Sequence, residues 1–292
     1  MSVTAPALTL ACHAKVNLVL RVLGLRPDGY HEVDMLLQSV GLADLLTIGG
    51  RSEGHSLTVE GLPAPKDRSN LCVRAVEALE RRLGEAIGLD IHLRKRIPSA
   101  AGLGGGSADA AGVLVGANRL LGLGLSEQEL LEVAAEVGSD VPAMVLGGTL
   151  LVGGRGERCR RVRPMGPLEM VIAQPPRGLS TPEVYRWWDL EGSTSPTSAE
   201  EVAGRLGNGE GALPVELMIN DLEPPVLGRV PEVRELKATL LRLGARRALL
   251  CGSGSAVAGL FDDREPAEAA TDALAAELPF ACHCRTHGCG VE

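Results

Sequence analysis

A glycine-rich segment between Ile97 and Gly112, with the sequence IPSAAGLGGGSADAAG, is the part of the chain best suited to bind phosphate. All residues from 102 to 106 except Leu103 are glycine. Glycine enters the φ > 0 region freely and lets a ligand approach backbone N–H groups. The Ala-rich run that follows predicts a helix, whose first N–H groups and positive dipole end favour an anion. The segment predicts a nucleotide triphosphate site, although such glycine clusters also occur in purely structural turns.

Three better-known motifs are absent from the sequence. No Gly-Lys dipeptide occurs, which excludes a Walker A loop, and a G-x-G-x-x-G count from Gly102 places Ser107 where the last glycine should be. The G-x-S-x-G turn of serine hydrolases also fails, because Asp109 and Ser255 stand two residues after Ser107 and Ser253. P-loop, Rossmann and simple acyl-transfer chemistry are therefore not supported.

Three blocks in the same order resemble the GHMP kinases, the small-molecule kinases of galactose, homoserine, mevalonate and phosphomevalonate. The family pattern for the glycine segment is P-x-x-x-G-L-x-S/G-S/G-S-A. The matching blocks are AKVNLVL (Ala14–Leu20), the glycine segment through Pro98, Gly102, Leu103 and Gly104–Ala108, and CGSGSAVAG (Cys251–Gly259). The resemblance implies an α+β fold of two domains, with the active site in the cleft between them. The implied domains are an ATP-binding N-terminal domain at residues 1–163 and a substrate domain at residues 164–292.

Further segments resemble one branch of this family, and together they span essentially the whole chain. They are Arg26–Leu46, Ser69–Ala75, Gly138–Glu157, Ser180–Tyr185 and Asn220–Pro224. This branch implies ATP-dependent phosphorylation of the 2-hydroxyl of 4-(cytidine 5′-diphospho)-2-C-methyl-D-erythritol, in the non-mevalonate route to isoprenoid precursors. The alternatives are another GHMP kinase, acting on homoserine, mevalonate or a sugar, and a non-catalytic GHMP-fold regulator that binds nucleotide.

Two features depart from the family pattern. Ala100 and Ala101 stand where many relatives have glycine, which adds methyl groups near the phosphates. The C-terminal run CHCRTHGC has no counterpart in the pattern. Neither departure removes a residue that the chemistry needs.

Lys15 and Asp140 are the candidate catalytic residues. Phosphoryl transfer to a hydroxyl needs in-line positioning, neutralisation of charge and a group that accepts the hydroxyl proton. The resemblance implies that Asp140 is this base and that Lys15 bonds to its carboxylate and to the developing charge. Without the resemblance, Ser139-Asp140-Val141-Pro142 reads more simply as a helix start. Lys15 could be a surface lysine, but its mostly apolar strand predicts a buried ammonium that needs a partner.

The resemblance also implies the nucleotide contacts. Lys95 and Asn70 are expected near the adenine and ribose, while the neighbouring Arg94 and Arg96 could alternate outward on a strand. The complete set of predicted nucleotide-binding residues is Asn70, Lys95, Pro98, Ala100, Ala101, Gly102, Leu103, Gly104, Gly105, Gly106 and Ser107. Mg²⁺ is expected with ATP, and Ser107 supplies the nearest hydroxyl. No other protein ligand and no protein-bound metal site are predicted.

Both tyrosines of the chain, Tyr30 and Tyr185, fall where the family stacks a cytosine ring. Stacking of a base on aromatic faces contributes roughly 1–3 kcal/mol per contact. As an isolated pair, they would more simply be half-buried surface tyrosines. The resemblance implies that His31 contacts the edge of the base and that Asn17 and Thr181 contact the methylerythritol or phosphate end. The predicted substrate-binding residues are Asn17, Tyr30, His31, Thr181, Tyr185, Gly252 and Ser253.

Local patterns predict the elements that position these residues. Alternation predicts strands over Leu8–Leu23, Leu45–Leu62 and Leu89–Arg94, and helical spacing predicts Leu71–Leu83. Other expected elements are a buried helix after Ser107, a capping box at Ser126–Glu129, strands at Leu168–Gln174, Arg247–Cys251, Ala256–Phe261 and Phe280–Arg285, a helix capped at Thr181, an apolar helix stripe from Val233 to Leu243, a helix after Asp263, and loops at Gly192–Ser198 and Gly204–Ala212.

Composition and net charge limit the classes of protein to which the chain can belong. The chain has 292 residues, of which 45% are hydrophobic and 23% charged, as in globular proteins with one large or two medium domains. A formal net charge of −8 disfavours a general nucleic-acid binder. The first thirty residues contain no apolar core typical of a signal peptide, and no apolar run approaches the ~20 residues that span a bilayer. We expect a cytoplasmic protein that binds small molecules and neither nucleic acid nor membrane.

The seven cysteines are predicted to be reduced thiols, because their number is odd and no signal peptide is evident. The cluster Cys282, His283, Cys284, His287 and Cys289 has enough ligands for zinc. However, Cys282 and Cys284 share one face of the expected terminal strand, where small buried thiols are ordinary core residues. The strand interpretation is favoured over the metal site.

Overall fold

Two long antiparallel strands, β1 (Ala7–Leu25) and β2 (His31–Gly50), are the centre of the first sheet in the computed structural model, which describes residues 7–164, 166–207 and 215–292. A short turn joins them: the N–H of Arg26 donates to the carbonyl of Tyr30 at 2.7 Å, and Gly29 has φ +84°. Bulges interrupt the pairing between His13 and Lys15 and again between Asn17 and Val19. Lys15 and Asn17 lie beside these bulges near the middle of β1, whereas Tyr30 lies in the turn at its end.

Five further strands complete this sheet among the described residues. They are β3 (His55–Gly61), β4 (Leu89–Lys95), β5 (Thr149–Gly153), β6 (Arg158–Arg161) and β8 (Ile219–Asn220). The order is β3-β4-β2-β1-β8, and β5 pairs with both β2 and β6. The short strand β8 comes from the second half of the chain and runs parallel to β1. The chain therefore returns to the first sheet after leaving it.

A second, antiparallel sheet has the order β11-β7-β10-β9. Its strands are β7 (Glu169–Gln174), β9 (Arg247–Leu250), β10 (Val257–Phe261) and β11 (Phe280–Arg285). The two sheets and their helices form the expected α+β architecture. Because β8 and the last residues contact β1, the boundary at residue 163 stays a prediction.

Nine helices cover the sheets in the described ranges. They are α1 (Leu71–Leu83), α2 (Gly105–Leu121), α3 (Glu127–Val137), α4 (Val141–Leu146), α5 (Thr181–Glu191), α6 (Ala199–Gly207), α7 (Glu223–Arg229), α8 (Pro231–Arg242) and α9 (Arg264–Ala275). In the parts of the chain that are described, no helix is long and apolar enough to cross a membrane.

Helix α2 lies directly on β1 and β2 because two of its glycines leave room. A Cβ at Gly112 would lie 2.4 Å from Cys12 Sγ, and one at Gly116 would lie 2.4 Å from Ile48 Cδ1. Residues 108 to 117 of the helix are all buried, as the small and apolar composition predicts. This packing fixes the start of α2, and with it the glycine segment, against the first sheet.

Some element predictions were wrong in detail. Leu45–Leu62 is not one strand, because β2 and β3 are separated by a turn at residues 51–54 in which Gly54 has φ +63°. The cap of α5 is Ser180, and Thr181 is its first helical residue. Gly204 lies within α6 rather than in a loop, while positions 208–212 of that predicted loop lie outside the described residues.

Helix α3, which leads the chain to Asp140, begins with the predicted capping box. Ser126 Oγ accepts from the N–H of Glu129, and the Glu129 carboxylate accepts from the N–H of Ser126 at 3.0 Å. Three hydrogen bonds lower the pKa of Glu129 to about 2. The Glu129 carboxylate accepts them from the N–H of Ser126, from the Ser126 hydroxyl and from Arg82.

Replacing Glu129 by glutamine is expected to remove a pH-dependent part of the stability. A carboxylate whose pKa is lowered on folding stabilises the fold above its unfolded pKa, about 4.5, and this contribution is lost as pH falls towards 2. Wild type should therefore exceed Glu129→Gln in unfolding free energy at pH 6, and the difference should shrink in acid. Urea titrations across this range measure it, with Glu136→Gln, a surface variant on the same helix, as control. A difference that is constant with pH would contradict the assignment.

Candidate active site

A cavity of about 700 Å³ lies where the glycine segment, the β1–β2 turn, the start of α5 and the loop at Gly252 meet. Every predicted site residue except Asn70 lines it. The predicted residues on its wall are Lys15, Asn17, Tyr30, His31, Lys95, Pro98, Ala100, Ala101, Gly102, Leu103, Gly104, Gly105, Gly106, Ser107, Asp140, Thr181, Tyr185, Gly252 and Ser253. Residues more than 230 positions apart in the sequence thus share one cavity. Their individual roles stay predictions.

The glycine segment presents the N-terminus of α2 to this cavity. Helix α2 starts at Gly105, and its cap residue Gly104 has φ +72° and no side chain that could occupy the first N–H groups. The first N–H groups of a helix have no partner within it and carry a partial positive charge. With Ser107 half-buried beside them, this end of the cavity can hold a polyphosphate.

Close backbone contacts hold the two glycine-containing loops together. A Cβ at Gly102 would lie 1.7 Å from the carbonyl oxygen of Cys251, so only glycine fits there. The N–H groups of Ser255 and Ala256 donate to the carbonyls of Ala100 and Ala101, at 3.1 and 3.2 Å. The side chains of the two alanines do not prevent this packing, although Ala100 adopts φ +51°. The Cys251–Gly259 block therefore forms the floor under the phosphate loop.

Lys15 and Asp140 form an ion pair on the cavity wall. Lys15 Nζ lies 3.8 Å from Asp140 Oδ2 and donates to Asn17 Oδ1 at 2.7 Å. The Lys15 side chain is only 8% exposed, whereas that of Asp140 is 36% exposed, so the carboxylate is open to a ligand while the ammonium is held. Asp140 does occupy the cap position of α4, but its side chain makes no capping hydrogen bond. Both interpretations of Asp140 are thus compatible: its backbone starts the helix, and its carboxylate is free for chemistry.

Lys95 lies beneath the phosphate loop in a buried charge network. Its ammonium bonds to Asp44 and, at 2.7 Å, to Asp109. Burial by itself lowers the pKa of Lys95, but the two carboxylates outweigh it and raise that pKa overall. Asp44 also accepts from the N–H groups of Arg96 and Ile97 at 2.5 and 2.9 Å. Lys95 therefore supports the entry to the glycine loop, and a direct adenine contact stays a prediction. Arg94 and Arg96 are exposed, as strand alternation predicts.

Asn70 caps helix α1 and does not line the cavity. Its side-chain oxygen accepts from the N–H of Cys72 at 2.9 Å, and its amide nitrogen donates to the carbonyl of Pro65 at 2.7 Å. These bonds place the next residue, Leu71, on the cavity wall. The structure gives Asn70 a positioning role, and the predicted contact with the nucleotide is untested.

Aromatic and charged residues gather at the far end of the cavity. The His31 ring lies 4.7 Å from the Tyr185 ring and 5.9 Å from that of Trp188, and its Nε2 contacts Asp189 Oδ1 at 2.8 Å. Burial, with a smaller contribution from the Asp140 charge, raises the pKa of Tyr185, so its hydroxyl stays protonated at neutral pH. This end of the cavity offers a ring platform with fixed hydrogen-bonding groups at its edge.

Tyr30 is half-exposed at the mouth of this end. The guanidinium carbon of Arg155 lies 5.0 Å from the centre of its ring. The Arg155 side chain is also held by the carbonyl of Ala135, to which it donates at 2.9 Å. Tyr30 is therefore partnered by a cation in this structure, whereas Tyr185 is partnered by His31.

Thr181 and Ser253 join the two halves of the site. Their hydroxyl oxygens are 2.8 Å apart, where the first turn of α5 meets the Gly252 loop. A Cβ at Gly252 would lie 3.0 Å from Lys15 Nζ, so this loop closely approaches the Lys15 ammonium. The Gly252 loop thereby links the Lys15 end of the cavity to the α5 end.

Sequence reasoning missed several residues of the site. Arg155 and Asp189 line the cavity, and Asp44 and Asp109 hold Lys95. For Asp109 a signal existed, because an acidic residue in an otherwise small and apolar helix must find a buried partner. No comparable signal marks Arg155 or Asp189, whose positions depend on how distant segments pack.

The α+β fold and the site together define a small-molecule phosphotransferase. Its phosphate loop at a helix N-terminus, its Lys–Asp pair and a cavity continuing to a ring platform can position a nucleotide against an alcohol. The chain matches the families described as GHMP kinases N terminal domain, over residues 70–148, and GHMP kinases C terminal, over residues 200–279. It belongs to the GHMP kinases.

Individual relatives agree with this assignment. The chain is 43% identical to a 4-diphosphocytidyl-2-C-methyl-D-erythritol kinase of Moorella thermoacetica, over 96% of this chain and 99% of the relative. It is 45% identical to the protein of that name from Pelotomaculum thermopropionicum, over 89% and 91% of the two chains. A crystal structure of 4-(cytidine 5′-diphospho)-2C-methyl-D-erythritol kinase superposes with a TM-score of 0.81 at 35% identity, covering 96% of this chain and all of that chain. Homoserine kinase from Cytophaga hutchinsonii, at 19% identity and a TM-score of 0.76, shares the fold.

Proposed function

We propose that this chain transfers the γ-phosphoryl group of ATP to the 2-hydroxyl of 4-(cytidine 5′-diphospho)-2-C-methyl-D-erythritol. The observation that carries the proposal is one continuous cavity with the Lys15–Asp140 pair between a phosphate-binding helix end and a platform of His31 and Tyr185. The full-length identity to kinases of that name supports the same substrate.

The transfer needs one base for the hydroxyl proton and groups that stabilise the negative charge on the leaving ADP. Asp140 accepts the proton of the substrate 2-hydroxyl while the hydroxyl oxygen forms a bond to the γ-phosphorus of ATP. The bond from that phosphorus to the oxygen that bridges it to ADP breaks at the same time. Lys15 is held by Asn17, so its ammonium is preorganised beside both the carboxylate and the phosphate loop. The N–H groups at the start of α2 bind the nucleotide phosphates, and ADP leaves with the bridging oxygen.

Mg²⁺ fits the donor groups at this end of the cavity. Magnesium prefers phosphate oxygens and water and needs few protein oxygens, and the Ser107 hydroxyl lies on the cavity wall beside the helix end. When bound, the ion would neutralise charge on the phosphates during transfer. Ser107 is the residue that would contact it.

The platform end binds the cytidine. The base stacks on Tyr185, with Tyr30 as the second aromatic side chain, and His31 reads its edge in an orientation fixed by Asp189. Thr181, Asn17 and the Gly252–Ser253 turn contact the diphosphate and methylerythritol between base and phosphate loop. A cytoplasmic location, without nucleic-acid or membrane partners, stays part of the proposal.

The proposal is tested by ADP release from Mg·ATP with four alcohols. The cytidine diphosphate methylerythritol compound, mevalonate, homoserine and galactose are compared, each with wild type and Asp140→Asn. Turnover with the cytidine compound alone, lost in the variant, is expected. Turnover with another alcohol would contradict the proposed substrate. ATP binding without turnover on any of the four alcohols would favour the alternative of a non-catalytic regulator.

Replacing Tyr185 by alanine should weaken substrate binding selectively. Loss of one stacking contact of roughly 1–3 kcal/mol raises the KM for the cytidine substrate about 5- to 150-fold. The KM for ATP should stay close to the wild-type value, because the phosphate loop is at the other end of the cavity. Tyr185→Phe is the matched control, since it keeps the ring. An equal loss for both ligands would place the base elsewhere or show that the fold is damaged.

A further inference from the structure

Three side chains from opposite ends of the sequence converge at the edge of the first sheet, outside the active-site cavity. They are His13 on β1, His287 just after β11, and Glu292. One ligand atom from each lies within 4.8 Å of the other two. None of the three lines the active-site cavity.

The separations of the ligand atoms suit a tetrahedral ion. His13 Nε2 and His287 Nε2 lie 3.3 and 3.4 Å from Glu292 Oε1. Two ligands that each bind zinc at about 2.0–2.1 Å in tetrahedral geometry are separated by roughly 3.3 Å. Two of the three ligand distances therefore already match those of a zinc site.

The tautomer of His13 is set for metal binding. Its Nδ1 lies 3.1 Å from the carbonyl oxygen of Val40. A carbonyl can only accept, so Nδ1 carries a proton and, in the neutral ring, Nε2 is the nitrogen left to bind a metal ion. In the structure, Nε2 contacts the Glu292 carboxylate at 3.3 Å. A backbone carbonyl that fixes the second ring nitrogen in this way is a regular feature of metal-binding histidines.

His287 Nε2 supports the same interpretation. This nitrogen is shielded from solvent and makes no hydrogen bond of acceptable geometry within the described ranges. Its contact with Glu292, at 3.4 Å, does not meet hydrogen-bond geometry. A buried nitrogen that is poorly satisfied in this way is costly, and a bound ion would satisfy it. The His13 and His287 rings stack at 3.8 Å with planes 17° apart, so one ring must turn for both lone pairs to reach a common point. His287, whose side chain is 29% exposed, has room to do so.

The backbone under each ligand is anchored. The N–H of His287 donates to the carbonyl of Ser39 at 2.7 Å, and that of His13 donates to the carbonyl of Gly290 at 2.8 Å. Glu292 exchanges two backbone hydrogen bonds with Ala11, at 2.7 and 3.1 Å. Backbone hydrogen bonds to the first sheet therefore hold the two ligands that follow β11, which reduces the entropic cost of binding an ion.

We infer that His13, His287 and Glu292 form a binding site for a zinc-class transition-metal ion. Two imidazoles and one carboxylate are a donor set that zinc accepts, with its fourth position left to water. The ion would fasten the segment after β11 to β1, two residues before Lys15. Of the Cys/His cluster noted in the sequence, His287 belongs to this site. His283 contacts Glu169 at 2.5 Å instead, and within the described ranges no cysteine sulfur belongs to this group of ligand atoms.

Zinc titration of the full chain, stripped with a chelator, tests the site by calorimetry. Wild type should bind one equivalent, and both His287→Gln and Glu292→Gln should weaken binding more than about 100-fold, since even removal of an outer partner costs 10- to 100-fold. His92→Gln is the matched control, because His92 faces Glu60 at 3.5 Å without belonging to the cluster. It should bind zinc as wild type does. Unchanged affinity in both cluster variants would overturn the site.

Cobalt absorption separates this site from binding by thiols. Co²⁺ on two imidazoles and a carboxylate should give visible bands without a thiolate charge-transfer band, and Cys289→Ser should leave the spectrum unchanged. A charge-transfer band that disappears in Cys289→Ser would assign the ion to the exposed thiol and refute the proposal. Circular dichroism checks folding. If His287→Gln does not fold, Glu292→Gln decides, because its side chain is 53% exposed.

Discussion

Asp140→Asn is expected to lower kcat by about 10²- to 10⁴-fold, the range that a positioned general base contributes. The amide is almost the same size as the carboxylate, but it cannot accept the proton of the attacking hydroxyl. It also removes the negative partner of Lys15, which lies 3.8 Å away. Because Asp140 makes no capping hydrogen bond with its side chain, helix α4 should form as before.

Steady-state kinetics with both substrates distinguish a catalytic from a binding role. In Asp140→Asn the KM values should change little while kcat falls, which is the behaviour of a group needed only in the transition state. Asp189→Asn is the matched control at the other end of the cavity. It removes the carboxylate that orients His31, so it should raise the KM for the cytidine substrate and leave kcat nearly unchanged. Wild-type kcat in Asp140→Asn would exclude Asp140 as the base.

Lys95→Met is expected to destabilise the fold by about 3–5 kcal/mol, the usual cost of removing one partner from a buried ion pair. Methionine fills most of the volume of the lysine chain, so loss of charge is the main change. Asp44 and Asp109, with side chains 0% and 2% exposed, would face each other without a cation. The loop entry held by Asp44 should loosen as well, and the KM for ATP should rise.

Urea denaturation at several pH values identifies the cause of this loss. Burial raises the pKa of Asp109 well above its ordinary value even beside Lys95, with Asp44 adding to the effect. A carboxyl group whose pKa is raised on folding destabilises the fold once pH exceeds its unfolded pKa, about 3.9. Lys95 opposes this rise, so its removal raises the pKa of Asp109 further. The deficit of Lys95→Met should therefore be largest where Asp109 is ionised in wild type and should shrink in acid, where both proteins bury a neutral carboxyl group.

Two further variants complete this experiment. Adding Asp109→Asn to Lys95→Met should restore part of the stability, because only one buried carboxylate remains. Lys66→Met, at an exposed lysine, should change the unfolding free energy by no more than about 0.5 kcal/mol. A pH-independent loss in Lys95→Met would assign the effect to packing instead of charge.

Asp140→Asn and Lys95→Met test two lysines that lie beside the same glycine loop in different surroundings. Lys15 has one exposed partner, so its charge is available to a substrate, whereas Lys95 has two buried partners and is committed to the fold. Both lysines lie next to the glycine loop: a Cβ at Gly104 would lie 3.2 Å from Lys15 Cγ, and one at Gly105 would lie 3.3 Å from Lys95 Nζ. We therefore expect the same side-chain type to serve catalysis at one side of the loop and stability at the other.

Local features of the chain could be predicted from the sequence because they depend on neighbouring residues. The glycine run, the small residues of α2 and the Ser126–Glu129 capping box each act through backbone conformation or helical spacing within a few positions. The family resemblance added the residues that gather in the cavity, and all but Asn70 line it. Where a strand pattern ran through the turn at residues 51–54, hydrophobic alternation alone could not locate the break.

Tertiary structure decided which charges and rings meet. Nothing near Lys95 in the sequence shows that Asp44, 51 positions away, is its partner, and nothing near Tyr30 points to Arg155. The convergence of His13 with His287 and Glu292 likewise depends on the segment after β11 returning to β1. The sequence by itself determined the glycine-rich loop, the capping box of α3 and the chemistry available, because these are set by local conformation and residue type. The partners were decided by the packing of distant segments, since a charge or a ring takes its role from whatever the fold brings within a few ångströms of it.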